Sequence, residues 1–144
     1  MLFRSVGYNR SSEKTNRLKQ KHFTPAYSLQ ELVNSINSPR IIWLMLSAGK
    51  PIDRILFGED KSKGLSQLLT KGDIIIDGAN SHYLTTQKRC QKLSQKGIEL
   101  LDCGTSGGVE GAKTGASLMI GGNESAFQLA KPIFKALAEK NGYA

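Results

Sequence analysis

Apolar positions along this chain follow two rhythms. Residues 41–46, 73–77 and 98–103 are runs of strand length with little polar alternation, the pattern of strands covered on both faces. Between them the apolar residues return at spacings of three and four, as on the buried stripe of a helix. Tyr83, Thr86, Cys90 and Leu93 mark one such helix, ending at Gly97. Helical stretches are also expected over 12–21, 51–57 and 65–69, with a charged, glycine-containing loop at 58–64. Ser28 and Glu31 have the spacing of a capping box and open a short helix through Ile36. A first short strand falls at 6–9 and a last one at 117–120. After the latter come Gly121-Gly122 and a helix capped by Asn123, which Pro132 restarts as a first-turn residue. Strands and helices therefore alternate, and the alternation predicts an α/β domain, a mainly parallel sheet with flanking helices.

The 144 residues suit one domain or one piece of a larger one. Leu, Ile, Val and Phe together make up 36 of them, above the level of about 20% below which chains tend to stay disordered. The longest apolar run, 41–46, is far short of the ~20 residues of a membrane helix. With no leader pattern at the start, the reading is a cytoplasmic protein without a membrane partner. Cys90 and Cys103 form no CxxC or Cys/His cluster, so the sequence suggests neither a zinc site nor a disulfide scaffold. The formal net charge is +8, and the first 30 residues, with six bases against Glu13, supply +5 of it. Such an end attracts anions, whether phosphorylated metabolites, nucleic acid or solvent counterions.

Candidate chemistry lies in the loops that follow the apolar strands, because the carboxyl ends of strands form the ligand crevice of an open α/β sheet. Seven of the 15 glycines fall in the 19 residues from Gly104 to Gly122. Gly107 and Gly108 let backbone amides approach a ligand, and Ser106 adds a hydroxyl. After the 73–77 strand, Asn80 offers a donor and an acceptor in fixed geometry. His82 beside it is expected to cap or to lie at the surface, and His22 and Trp43 to be structural. After the 41–46 run, Ser47-Ala48-Gly49 is small enough to lie flat against a ring. Asn9-Arg10-Ser11 ends the first strand. In dinucleotide folds an acid there accepts a ribose hydroxyl and an arginine accommodates a 2′-phosphate. Arg10 in that place favours NADP over NAD by roughly 1.5–3 kcal/mol, the size of one charge-assisted hydrogen bond.

Three motifs then fall in register: Ile74-Ile75-Ile76-Asp77-Gly78-Ala79-Asn80-Ser81, Leu101-Asp102-Cys103-Gly104-Thr105-Ser106-Gly107-Gly108-Val109-Glu110-Gly111, and Ser117-Leu118-Met119-Ile120-Gly121-Gly122. In order and spacing they closely resemble the cofactor domain of decarboxylating 6-phosphogluconate dehydrogenase, and the resemblance runs from about Val6 to Tyr143. It implies a Rossmann-like, doubly wound α/β fold and a homo-oligomeric enzyme of the pentose phosphate pathway. That enzyme moves hydride from C3 of 6-phosphogluconate to NADP, loses carbon dioxide and releases ribulose 5-phosphate, with no metal. NAD is a possible alternative cofactor.

Residue by residue, the resemblance implies that Asn9, Arg10 and Ser11 hold the adenosine ribose and its 2′-phosphate, and that Leu46, Ser47 and Ala48 line the cofactor. Asn80 would touch both nicotinamide and substrate, and Ser106, Gly107 and Gly108 would bind the oxidised end of the sugar acid. It also implies that the family's first βα unit, with its G-x-G-x-x-G turn, would precede Val6, and that the catalytic lysine and glutamate would follow the last residue. On this reading residues 1–144 are a partial dinucleotide-binding domain, inactive alone and lacking the C-terminal helical catalytic domain. Two other readings remain. The sequence 57–60 is similar to the smaller β-hydroxyacid dehydrogenases, such as 3-hydroxyisobutyrate dehydrogenase. The basic start would suit a nucleic-acid-binding module, although its aromatic residues are scattered.

Overall fold

Three consecutive isoleucines can be kept from water in a strand only if both of its faces are covered, because neighbouring side chains point to opposite sides. The computed structural model, which describes residues 4–17 and 23–144, places them in β4 (Ile74–Asp77), where all four residues are buried. Ile75 points into a core built with Ile42 and Leu44 of β3 (Ile41–Leu44) and with Leu32, Ile52, Leu56 and Leu93 from the helices on that face. Ile74 and Ile76 point the other way, into a second core with Leu101, Cys103 and Phe134. β3 and β5 (Glu99–Ser106) flank β4, both parallel to it. This double coverage explains why the apolar runs show no alternation, but the expected run 41–46 is a strand only to Leu44; Met45 and Leu46 lie beyond β3 and are exposed.

The first core is closed by α2 (Leu29–Asn34), α3 (Lys50–Phe57), α4 (Leu65–Leu68) and α5 (Tyr83–Ser94). The second is closed by α7 (Glu124–Leu137). Beyond β5 the sheet continues through β6 (Ala116–Gly121), antiparallel to β5, and β7 (Ala138–Tyr143), parallel to β6. α6 (Gly108–Thr114) links β5 to β6. A second, two-stranded parallel sheet joins β1 (Ser5–Tyr8) to β2 (Phe23–Ala26), with α1 (Ser12–Arg17) between them. Among the described residues β1 pairs only with β2, and β3 only with β4.

Several expectations are corrected. Pro132 does not restart a helix; it lies inside the continuous α7. Its side is exposed, so the carbonyl that loses its N–H partner faces water and the helix survives the loss. Tyr83 is 62% exposed and falls outside the buried stripe of α5. The 107–111 stretch turns from loop into helix at Gly108. β2 and β7 carry no apolar rhythm: one contains Pro25, tolerated at a sheet edge, and the other is a polar edge strand. The Ser28 cap is present, its side chain accepting from the Glu31 amide at 3.0 Å. Glu31 reaches back to the Tyr27 amide rather than to that of Ser28. The expected helix over 12–21 is described only to Arg17, and His22 lies outside the described residues.

At the entry to β4 a fully buried carboxylate ties three elements together. Asp73 accepts from the Arg40 amide at 2.8 Å, the Arg40 guanidinium at 3.0 Å, the Thr70 amide at 2.9 Å and the Ser38 hydroxyl at 3.1 Å. Arg40 also donates to the carbonyls of Val33 and Ile36 at the end of α2. Burial pushes the Asp73 carboxyl up, but the hydrogen bonds together outweigh it and hold the group below the ordinary value of 3.8. A depressed pKa contributes stability that is present above the unfolded value and is lost as pH falls through the folded one. Asp73→Ala is therefore expected to cost on the order of 3 kcal/mol at neutral pH, the scale for a buried charge pair losing one member. Acid and denaturant titrations of the two proteins check this: the difference should shrink as pH falls below 4.

Candidate functional site

The sheet delivers three turns to one place, because β3, β4 and β5 are parallel and their carboxyl ends point the same way. β3 runs into the 45–49 turn, which carries Leu46, Ser47 and Ala48 and ends at Gly49, the residue that precedes α3. β4 runs into the 77–82 turn. Asp77 takes the Ala79 amide at 3.1 Å and the Ser81 hydroxyl at 2.9 Å, which bends the chain and leaves Asn80 at φ 54°. Asparagine is one of the few side chains that tolerates this conformation. β5 runs through Thr105 and Ser106 to Gly107, whose φ of 126° suits glycine alone. A Cβ there would sit 2.9 Å from the Gly111 backbone.

The second and third turns are bonded directly. The Asn80 amide nitrogen donates to the Thr105 carbonyl at 3.0 Å, and the Thr105 amide donates to the Asn80 Oδ1 at 2.9 Å. Ser106 is thereby held beside Asn80. One proton on the Asn80 nitrogen and one lone pair on its oxygen remain for a ligand. Val109 and Met119 are exposed nearby, and Glu110 opens α6.

The group that holds the first turn to the second is absent from the expectations above. Arg89, in the middle of α5, is 2% exposed. Its Nε donates to Asp53 at 2.9 Å, Nη1 to Asp77 at 3.1 Å and to Ser81 at 2.8 Å, and Nη2 to the Gly49 carbonyl at 3.1 Å. The sequence does hold a signal for it. Arg89 lies three residues after Thr86 and four before Leu93, a basic residue on a stripe that otherwise goes to the core.

Asn9, Arg10 and Ser11 stand apart from these turns, after β1. The Asn9 side chain accepts from the Ser11 amide at 2.9 Å and shapes the bend. Arg10 lines a cavity of about 540 Å³ together with Tyr8, Tyr27, Arg54, Glu59 and Lys63. His82 caps α5, its Nδ1 accepting from the Leu84 amide. Trp43 packs edge-on against Phe134. Cys90 and Cys103 are free thiols, and burial pushes both above their ordinary value. Among the described residues no cluster of His, Cys, Asp or Glu could hold a metal ion, and no helix is long and apolar enough to cross a membrane.

A family model described as the NAD binding domain of 6-phosphogluconate dehydrogenase matches residues 3–143. The chain belongs to this family. It is 46% identical over 140 residues to the decarboxylating 6-phosphogluconate dehydrogenase of Schizosaccharomyces pombe, covering 94% of this chain and 27% of that protein. A Bacillus subtilis relative, 41% identical over 139 residues, is a decarboxylating 6-phosphogluconate dehydrogenase named as NAD(+)-dependent; the match covers 94% of this chain and 28% of that protein. Among solved structures, 6-phosphogluconate dehydrogenase of Plasmodium falciparum, studied with NADP+ and with 6-phosphogluconate, superposes with a TM-score of 0.83 at 30% identity. That match covers 95% of this chain and 29% of the other. The chain thus spans little more than a quarter of the length of these relatives.

Within this family domain, one acidic pair sits under the site. Asp77 and Asp102 are register partners on β4 and β5. Burial raises the Asp102 carboxyl above its ordinary 3.8, the Asp77 charge raises it further, and Arg89 offsets part of the effect. A raised carboxyl pKa favours folding below the unfolded value and loses that advantage as pH rises through the folded one. Asp102→Asn is therefore expected to raise the melting temperature at pH 7. The gain should vanish near pH 3. Melting curves of both proteins across that range check the sign.

Proposed function

We propose that this chain is the cofactor- and substrate-contacting part of a decarboxylating 6-phosphogluconate dehydrogenase that uses NADP. The observation that carries the reading is the pair of hydrogen bonds between Asn80 and Thr105. It joins the turn suited to the nicotinamide side with the turn suited to the sugar acid, so that one small molecule can meet both.

The residues fit the cofactor. Arg10 and Lys63 bring positive charge to a cavity walled by Tyr8 and Tyr27, a place for an adenosine carrying a 2′-phosphate. Asn9 and Ser11 shape the bend that presents Arg10. Leu46, Ser47 and Ala48, in the turn after β3, are proposed to line the cofactor. When bound, NADP supplies the acceptor for hydride. Around it, Asn80 has one donor and one acceptor left to orient the carboxamide and a substrate hydroxyl. Ser106, Gly107 and Gly108 offer a hydroxyl and backbone groups to the end of 6-phosphogluconate that is oxidised and decarboxylated, and Gly108 has open space above its Cα. In the proposed enzyme the proton transfers fall to a lysine and a glutamate outside these 144 residues. The full-length enzyme is proposed to be a cytoplasmic homo-oligomer.

Two measurements test the reading. NADP should raise the melting temperature of this chain more than NAD does, and Arg10→Ala should erase the difference. At a hundredfold excess over Kd, binding to the folded state alone adds about 2.7 kcal/mol, well within reach of a melting curve. The full-length gene product should reduce NADP with 6-phosphogluconate and leave 3-hydroxyisobutyrate essentially unoxidised. Ready turnover of the smaller acid with none of the phosphorylated one would reject the assignment.

A further inference from the structure

A buried arginine needs partners for its N–H groups, and where those partners sit decides what the arginine does. Arg89 directs four hydrogen bonds to three separate places. Asp53 lies in the first turn of α3, Gly49 ends the turn after β3, and Asp77 and Ser81 frame the turn after β4. A core charge balance would need Asp77 alone. The additional bonds to Gly49 and Asp53 do nothing for Asp77; they tie the first turn to the second at a fixed separation. From the second turn the tie continues through Asn80 to Thr105, so one line of hydrogen bonds crosses the ends of β3, β4 and β5.

We infer that Arg89 is a positioning residue: its guanidinium sets the spacing between the 45–49 turn and the Asn80–Ser106 pair. The catalytic consequence rests on the dehydrogenase reading above, in which the first turn lines the cofactor and the pair meets the substrate. Hydride transfer demands close, aligned atoms, and a misplacement of about 1 Å can cost on the order of a hundredfold in rate. Lysine cannot take over the role, because one ammonium on a flexible stem cannot reach all three places at once.

The test is residue-resolved amide hydrogen exchange on this chain, as wild type, Arg89→Lys and Asp53→Ala. Two amides report on the turns without touching Arg89: Ile52, bonded to the Gly49 carbonyl at 3.0 Å, and Thr105, bonded to Asn80. In Arg89→Lys both should exchange faster by about tenfold or more, while amides of the buried β4–β5 ladder keep their wild-type rates. Asp53→Ala keeps the Asp77 pair, so its fold is secure, and it should accelerate both reporters by a smaller factor. Unchanged rates at Thr105 in both variants would overturn the inference. So would equal acceleration of the ladder, which would mark Arg89 as a general stabiliser. In the full-length enzyme, Arg89→Lys should lower kcat by about ten- to a hundredfold with KM for NADP changed little. A wild-type enzyme with no turnover of 6-phosphogluconate would count against the dehydrogenase reading alone, and the exchange rates would still decide the role of Arg89.

Discussion

A strand buried on both faces, with a buried carboxylate at each end, is the constraint on which this domain turns. β4 brings Asp73 to the start of the sheet and Asp77 to the carboxyl end that carries the candidate site, and both are fully shielded from water. Shielding an unpaired carboxylate costs several kcal/mol, so each needs a cation and a set of N–H donors. Arg40 answers Asp73 and Arg89 answers Asp77. Arg40 comes from the segment just before β3 and Arg89 from α5, and each reaches further partners, so neutralising the charge also fixes where the neighbouring elements lie.

The two ends use the same device differently. Around Asp73 the extra donors come from the residues leading into β3 and β4, and the result is a closed structural corner. Around Asp77 the extra partners are turns, and the result is a surface with exposed groups: Asn80 with spare hydrogen-bonding capacity, Ser106, and a glycine pair. The Asp73 end turns its carboxylate wholly inward, whereas the end that carries the candidate site holds some polar groups in place unspent. A closed corner and an exposed polar surface are thus separated by the short strand between Asp73 and Asp77.

The strong positive charge of the chain takes on meaning once the pairs are removed from it. Arg40 and Arg89 are spent on internal carboxylates, and Arg54 is paired with Glu59 at 2.9 Å. Arg10 lies just after β1, on the wall of the cavity proposed above for the nucleotide. Overall charge therefore says less about partners than where the individual cations stand.

What the amino-acid order determined by itself is the part governed by local rules. The apolar runs of β3, β4 and β5 read as doubly covered strands because both faces demanded apolar residues. The caps at Ser28 and Asn123 read correctly because a cap is a contact between near neighbours in the chain. The three motifs around Asn80 and Ser106 carried the family, since turns that need glycine or a left-handed asparagine leave few substitutes. Tertiary structure alone decided the rest. β2 and β7 exist through pairing rather than periodicity, α7 runs through Pro132 because that face meets water, and residues 80 and 105 are joined by hydrogen bonds across 25 positions of chain. Arg89 is the clearest case: a helix pattern can place a basic residue on a buried stripe, but only the assembled sheet brings Gly49, Asp53 and Asp77 within reach of one guanidinium. Long-range hydrogen bonds leave no spacing rule along the chain, so the fold has to form before they can be seen.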